Sequence, residues 1–274
     1  MTEGDRPVPP GIDASKPNIA RVYDYTLGGK DNYAIDRQVA ELSHRVMPAQ
    51  AGARANRAFL RRVVRYLVAE AGIRQFIDIG SGLPTQGNVH EVAQEVDPDA
   101  RVVYVDNDPV VLVHARELLG RTDATAVITA DVRRPKEILN DPTVRGFLDF
   151  EQPMGLLLFA ILHHVNDDED PEGIARQFRD ALPQGSYMAL SHFHNPGSEH
   201  PVAAQQAVAA EKVFSENLGT GRFRTRAEIL AYFGDFELVE PGLVPSTGWR
   251  PQLGDPAVPG ATRYLAVGGV ARKR

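Results

Sequence analysis

Two aspartates and two glycines stand where a nucleoside-like ligand could bind. Gly80 and Gly82 follow a short, largely apolar segment, and glycines there let the backbone turn sharply and approach a ligand without a Cβ in the way. A second apolar segment, 101–106, ends in Asp106, whose carboxylate is suited to ribose hydroxyls. Asp78 precedes the turn and suits a ligand with a cationic amino-acid end. These features favour S-adenosylmethionine.

The glycine spacing disfavours other nucleotides. A dinucleotide fingerprint, Gly-x-Gly-x-x-Gly, requires glycine where this chain has Thr85, and the next glycine is Gly87. The phosphate-binding pattern Gly-x-x-x-x-Gly-Lys-Ser/Thr occurs nowhere in the sequence. We therefore predict S-adenosylmethionine, and not NAD or ATP, as the cofactor.

Four of the eight histidines follow two neighbouring predicted strands: His163, His164, His192 and His194. Ligands bind outside the carboxyl ends of such strands. His163 and His164 are the candidate catalytic residues, since an imidazole can act as general base on a hydroxyl or amine. At least two of the four could instead be structural or rim histidines. No metal is predicted, because no fixed ligand spacing is met.

After Gly72 the predicted strands and helices alternate, which favours βαβ crossovers and a parallel sheet. The segment 155–162 lacks period-two alternation, as expected of a central strand covered on both faces. The strands are predicted near 75–80, 101–106, 125–131, 154–162 and 186–193, and the helices near 86–96, 109–119, 135–140 and 171–182.

The C-terminal third has a different pattern. Helices are predicted over 201–217 and 225–233, followed by strands near 236–244 and 262–271 with no helix between them. Two such strands form an antiparallel edge. The predicted fold is therefore α/β, a Rossmann-like doubly wound seven-stranded sheet with an antiparallel C-terminal edge, the arrangement of class I methyltransferases.

The N-terminal region is predicted to form a cap. Residues 1–17 carry four prolines and two glycines and are expected to be a flexible arm. Three helices, ending near 28, 46 and 71, make 18–72 an N-terminal helical cap, and 73–274 form the cofactor-binding domain. The arginines of the third helix are expected to form a solvated basic face.

Composition limits the partners. The chain has 274 residues and a formal net charge of −6, which removes the usual electrostatic case for nucleic acid. It has no cysteine, so disulfides, thiolate metal sites and cysteine nucleophiles are excluded. It has no apolar signal region and no stretch of about 18 apolar residues. We expect a cytoplasmic protein with a small-molecule substrate and no membrane or nucleic-acid partner, and we make no prediction of the oligomeric state.

Five segments carry a resemblance to a known family: ARVYDYTLGGKDNY at 20–33, DIGSGLPT at 78–85, YVDNDP at 104–109, ADVR at 130–133 and LLFAILHH at 157–164. They resemble the bacterial S-adenosylmethionine-dependent methyltransferase-like proteins first catalogued as a domain of unknown function. The first segment is specific to that family, whereas the glycine turn is common to class I methyltransferases. The wider superfamily has a third glycine where this chain has Pro84.

The resemblance implies roles for ten residues. The methionine portion of the cofactor would be held by Asp78, Gly80, Ser81 and Gly82, with Phe159 and Ala160 lining its side. Asp106 would bind the ribose, Asn107 would lie beside the adenine, and Asp131 with Val132 would contact the adenine amino group. Asp131 could alternatively cap the following helix.

The segment 28–33 is polar and turn-rich, and it could fold over the cofactor as a lid. Tyr25 and Asn32 are therefore candidate cofactor contacts, although the segment could equally be a helix cap and an ordinary connection. The predicted function is S-adenosylmethionine-dependent methyl transfer to an unidentified small molecule. The alternative is a non-catalytic, regulatory S-adenosylmethionine-binding protein.

Overall fold

The computed structural model describes residues 13–83, 87–109, 111 and 123–274. Most of the predicted flexible arm over 1–17 lies outside these residues. So do Pro84 and Thr85 of the glycine-turn segment, and most of the helix predicted near 109–119.

One mostly parallel sheet organises the described chain. Its order is β3-β2-β1-β4-β5-β8-β6, with β7 also paired to β8. Strands β1 to β5 are parallel to their neighbours, whereas β8 runs antiparallel to β5, as the sequence predicted. The strands are β1 (Gln75–Ile79), β2 (Arg101–Asp106), β3 (Thr125–Thr129), β4 (Gly155–Phe159), β5 (Tyr187–Phe193), β6 (Glu237–Leu238), β7 (Val244–Pro245) and β8 (Ala266–Arg272).

The structure has eight strands where the sequence predicted seven, because the strand expected near 236–244 is interrupted. Its two pieces, β6 and β7, both pair antiparallel with β8 along the same edge. A turn closed by the Gly242 N–H and the Val239 carbonyl, 2.8 Å apart, separates them. Proline and glycine at 241 and 242 favour such a turn over a continuous ladder. The sheet path therefore still has seven positions.

Nine α-helices are described, and all but α6 were expected from the sequence. The first begins at Asn18, whose side chain accepts hydrogen bonds from Ala20 N and Arg21 N, and it ends at Gly28 in the left-handed conformation. No helix in the described residues is long and apolar enough to cross a membrane. The helices are α1 (Ile19–Leu27), α2 (Ala34–Val46), α3 (Ala49–Ala69), α4 (Val89–Gln94), α5 (Pro135–Leu139), α6 (Pro142–Phe147), α7 (Pro171–Ala181), α8 (Pro201–Leu218) and α9 (Arg226–Ala231).

Hydrophobic layers cover both faces of the sheet. One face carries Ile77, Val103 and Leu156 into a core shared with α5, α7 and α9. The other face carries Phe76 and Leu157 into a core shared with α3 and α4. Because both faces are covered, the central strands are apolar on both sides and show no alternation of apolar and polar residues.

Helix α3 packs directly on the sheet, and its predicted solvated basic face is wrong at Arg62. That side chain is buried. Its Nε donates to Trp249 O at 2.8 Å, its Nη2 donates to Ser246 O at 2.6 Å, and its Nη1 pairs with Asp255. Arg62 therefore fastens the C-terminal segment to α3. The proposed division of the chain near residue 72 stays a prediction.

Candidate functional site

A cavity of about 430 Å³ lies at the carboxyl ends of the parallel strands. Helices α1, α3 and α8 contribute to its walls, and Asp78, Gly82, Asp106 and Phe159 line it from the sheet. The predicted site residues that line this cavity are Asp78, Gly80, Ser81, Gly82, Asp106, Asn107, Val132, Phe159, Ala160, His163 and His164. The doubly wound topology brings these residues together because each follows or ends a parallel strand.

The glycine turn requires both of its glycines. Gly80 has φ of +71° and Gly82 has φ of +67°, a region that side chains disfavour. The N–H of Gly80 donates to Val105 O at 2.8 Å and so ties the turn to β2. A Cβ on Gly80 would lie 2.6 Å from Ile161, whereas a Cβ on Gly82 would meet nothing within 4 Å. Gly82 therefore keeps an open cradle beside the strand ends.

Asp106 is held beside the glycine turn by backbone donors. Gly82 N donates to its Oδ2 at 2.8 Å, and Asp108 N donates to its Oδ1 at 2.9 Å. Burial raises the pKa of Asp106, and the backbone hydrogen bonds partly offset that effect. A carboxylate has about four acceptor positions, so Asp106 can also accept from a neighbouring hydroxyl in addition to its backbone donors.

Asp78 is a buried carboxyl with 5% exposure, and no donor in the described part of the chain hydrogen-bonds to it. Burial raises its pKa to about 7, Arg57 acts in the opposite direction, and the charge of Asp106 adds to the increase. A buried, unpaired carboxylate is costly. Asp78 is therefore suited to pair with a cationic group of a ligand in the cavity.

We expect Asp78→Asn to stabilise the ligand-free protein above neutral pH. The raised pKa means that Asp78 stays protonated in the folded chain while it ionises in the unfolded chain. Its contribution to the free energy of unfolding is therefore full below about pH 4 and is lost as the pH rises to about 7. Near pH 8 the free energy of unfolding of the variant should be a few kcal/mol larger than that of the parent, which is the size of effect that the shifted pKa implies at about 1.4 kcal/mol per pKa unit. Near pH 4 the two values should match.

Urea unfolding of both proteins at several pH values measures this difference. Other titrating groups cancel in the comparison, since they are common to parent and variant. A stability difference that does not change with pH would contradict the assignment.

His163 and His164 line the cavity from the turn that follows β4. The His163 Nδ1 accepts from Phe193 N at 3.3 Å, and its ring stacks on that of Phe193 with centroids 3.7 Å apart. In the neutral ring the proton is therefore on Nε2. Burial lowers the pKa of His163 well below its ordinary value. Burial and then Arg133 lower the pKa of His164 to about 3, and its Nδ1 has no partner among the described residues.

His192 and His194 have structural hydrogen bonds. The His192 Nδ1 donates to Phe193 O at 2.6 Å, and its Nε2 accepts from Arg224 Nη1 at 3.2 Å. The His194 Nδ1 donates to Tyr264 O at 2.8 Å. In the described ranges no group of three or more metal-ligating side chains converges.

Three predicted cofactor residues are not brought to the cavity wall. The Tyr25 hydroxyl donates to Glu41 at 2.8 Å. The Asn32 Nδ2 donates to Asp24 at 2.8 Å. Asp131 accepts from Arg133 N at 2.9 Å and forms an ion pair with the Arg133 side chain, and it does not cap the following helix, whose N-cap is Arg134.

The predicted lid, residues 28–33, wraps around Asp24 and does not line the cavity. The Asp24 carboxylate accepts from Asp31 N and from the Asn32 side chain. A Cβ on Gly29 would lie 2.0 Å from the same carboxylate, so only glycine fits against it. The wall is formed by α1 itself, through Ile19, Val22, Tyr23 and Thr26.

The sequence did not identify Tyr23, Asn56 and Arg57 as site residues, although all three line the cavity. The Asn56 Nδ2 donates to the Tyr23 hydroxyl at 3.2 Å, and that hydroxyl donates to Ala53 O. The available signal was a run of small residues on one face of α3, at Ala49, Gly52 and Ala53. Because their side chains are small, these residues leave space for a cavity along this face of α3.

Solved structures resemble the chain over almost its whole length. A "putative methyltransferase" from Thermobifida fusca is 48% identical, with a TM-score of 0.89 over 97% of this chain and 98% of its own. A DUF574 family protein from Streptomyces avermitilis is 41% identical, with a TM-score of 0.89 over 96% and 99%. No curated protein matches the chain.

A more distant structure shares the fold. It is an S-adenosylmethionine-dependent methyltransferase from Anabaena variabilis, 17% identical, with a TM-score of 0.54 over 94% of this chain and 97% of its own. The mostly parallel sheet with antiparallel C-terminal strands matches this class I methyltransferase fold. The predicted fold class is therefore confirmed.

The sequence profile of S-adenosyl methyltransferases matches residues 5–274. The match covers all five segments that carried the resemblance. It also confirms S-adenosylmethionine as the cofactor of the family, as the glycine spacing predicted. The chain belongs to the S-adenosyl methyltransferase family.

Proposed function

We propose that this protein transfers a methyl group from S-adenosylmethionine to a small-molecule acceptor bound in the same cavity. The observation that supports this most strongly is the meeting of three features at one cavity wall. They are the unpaired buried carboxyl of Asp78, the open cradle at Gly82 and the strand-end carboxylate of Asp106. Together they complement an ammonium group, a sugar and the chain that joins them.

The residues present fit the cofactor. Asp106 would accept from the ribose hydroxyls, and Asp78 would pair with the α-ammonium of the methionine portion. Asn107 and Val132 would flank the adenine, and Phe159 would line the methionine side. When bound, S-adenosylmethionine supplies a sulfonium-activated methyl group.

Ala160 is an additional feature of this wall. It has φ of +53°, a conformation that costs a non-glycine residue of order 1–3 kcal/mol and is found where surrounding structure enforces it. Its N–H donates to Ser191 Oγ at 2.9 Å. The strained backbone at the end of β4 supports a binding role for this position.

The rest of the cavity supports a small acceptor. Its walls include Met47, Phe193, Phe214 and Leu218, which would surround an acceptor with largely apolar surface and exclude water. Enclosure and orientation are the main contributions that a protein makes to such a displacement. The absence of a nucleic-acid partner and a cytoplasmic location stay predictions from composition.

His163 and His164 are proposed as acceptor contacts in their neutral form. Their lowered pKa values make them weak bases at neutral pH. The His164 Nδ1 is free to accept a hydrogen bond, and the neutral His163 ring has its proton on Nε2. These groups suit orientation of a nucleophile that does not require a strong base. No observation favours the non-catalytic alternative.

Calorimetric titration with S-adenosylmethionine and S-adenosylhomocysteine tests the proposal, with NAD as the control ligand. We expect saturable binding of both sulfur ligands and none of NAD. Release of S-adenosylhomocysteine is then measured against a panel of small hydroxyl and amine acceptors. Absence of binding would overturn the proposed function, and binding without acceptor-dependent turnover across the panel would favour the non-catalytic alternative.

A further inference from the structure

Arg57 is a cation that lines, from α3, the cavity that Asp78 lines from the sheet. Of the five arginines in α3, it is the one that lines the cavity. Its Nη2 donates to Gly87 O at 3.0 Å. Asp78 and Tyr23 line the same cavity, and the charge of Arg57 lowers the pKa of both.

The guanidinium has donors to spare. Arginine carries five N–H groups, and the bond to Gly87 uses one of them. Within the described ranges Arg57 forms no ion pair at 4 Å or less, whereas Arg62 pairs with Asp255 and Arg65 pairs with Glu95. Arg57 therefore shares the cavity with the carboxyl of Asp78, and no ion pair in the described ranges neutralises it.

An anion and a cation that face one cavity form a dipolar receptor. Burying either charge without a partner is unfavourable, so a ligand that supplies the opposite charges to both should bind well. An α-amino-acid group carries an ammonium and a carboxylate on the same carbon. Asp78 complements the ammonium, which leaves Arg57 for the carboxylate.

We propose that Arg57 binds the α-carboxylate of the methionine portion of the cofactor, while Asp78 binds its α-ammonium. This inference rests on the proposed function. Arginine is well suited to the role, because its planar fork can donate two parallel hydrogen bonds to a carboxylate. Arg57 would also link α3, and through Asn56 and Tyr23 the helix α1, to the bound cofactor.

The test uses two ligands that differ in the amino-acid end. S-adenosylhomocysteine has it, whereas 5′-methylthioadenosine keeps the adenosine and the thioether but lacks the amino acid. We expect Arg57→Gln to weaken the binding of S-adenosylhomocysteine by about 10- to 100-fold, because charge-assisted hydrogen bonds to its carboxylate are lost. Binding of 5′-methylthioadenosine should change less than about twofold, since it makes no contact with this group.

Two further variants complete the experiment. Arg54→Gln changes an exposed arginine of the same helix and should leave both affinities unchanged. Arg57→Lys keeps the positive charge but lacks the planar guanidinium. Its affinity for S-adenosylhomocysteine should fall less than that of Arg57→Gln. Near-ultraviolet circular dichroism checks that each variant is folded.

The outcomes separate the two proposals. Unchanged binding of S-adenosylhomocysteine by Arg57→Gln would overturn the role of Arg57 and leave the proposed function standing. Equal losses for both ligands would also overturn it, because Arg57 would then act on the adenosine side or through the fold. If the unmodified protein bound neither S-adenosylmethionine nor S-adenosylhomocysteine, the proposed function would fail, and this inference with it.

Discussion

Asp106→Asn is expected to weaken binding of S-adenosylhomocysteine by about 100-fold or more. Asp106 is proposed to accept from two ribose hydroxyls, and hydrogen bonds to a charged group contribute about 1.5–3 kcal/mol each. The asparagine keeps the shape of the side chain but removes the charge, and its amide would face one of the N–H groups of Gly82 and Asp108 that the carboxylate now accepts. Calorimetry or competition against a labelled ligand measures the loss.

The ligand pair used for Arg57 makes this prediction specific. Both S-adenosylhomocysteine and 5′-methylthioadenosine contain the ribose, so Asp106→Asn should weaken them equally, whereas Arg57→Gln should affect only the first. Asp99→Asn is the control, because Asp99 is exposed beyond the opposite end of β2. Affinities within about twofold of the parent for both ligands would refute the ribose role of Asp106.

The predicted site residues that line the cavity are mainly those whose position depends on local structure. Gly80 and Gly82 follow β1, and Asp106 ends β2. Once the two segments are recognised as neighbouring parallel strands, their carboxyl ends must meet. The hydrogen bond from Gly82 N to Asp106 is the direct result of that pairing. The wall formed by the sheet could therefore be anticipated without the structure.

The wall formed by α3 could not be anticipated in the same way. Helical periodicity identifies the apolar face of α3, but it does not say which arginines have buried partners. Arg62 donates to Trp249 O, 187 residues later in the chain, and Arg57 is placed by the packing of α3 over the strand ends. The positions of these side chains depend on long-range contacts, so the sequence pattern placed both Arg57 and Arg62 on a solvated face.

The segment predicted as a lid, residues 28–33, does not line the cavity for a related reason. A polar, glycine-rich turn is compatible with both a mobile loop over a ligand and a tight turn around a buried side chain. The deciding residue is Asp24, whose carboxylate binds Asp31 N and the Asn32 amide. Its burial depends on how α1 packs against α2, which sequence periodicity does not specify. The pKa values of His163 and His164 are a similar case. Burial lowers both values, and burial depends on packing that sequence periodicity does not specify.

Asp36→Ala is expected to lower the free energy of unfolding by about 3–5 kcal/mol, the usual cost of breaking a buried ion pair from one side. Asp36 has 0% exposure. It pairs with Arg21 Nε at 2.9 Å and accepts from Asn18 N and Tyr33 N, both at 2.9 Å. Its removal would leave a buried guanidinium and two backbone donors without their acceptor. Urea unfolding measures the change.

Two comparisons isolate the charge. Combining Asp36→Ala with Arg21→Met removes the buried cation as well, so part of the lost stability should return, while the donors of Asn18 and Tyr33 stay unpaired. Glu41→Ala removes an exposed acceptor of α2 and should change stability by less than about 0.5 kcal/mol. If Asp36→Ala cost no more than Glu41→Ala, the ion pair would not hold α1 against α2. Another interaction would then have to hold α1 in its place in the cavity wall.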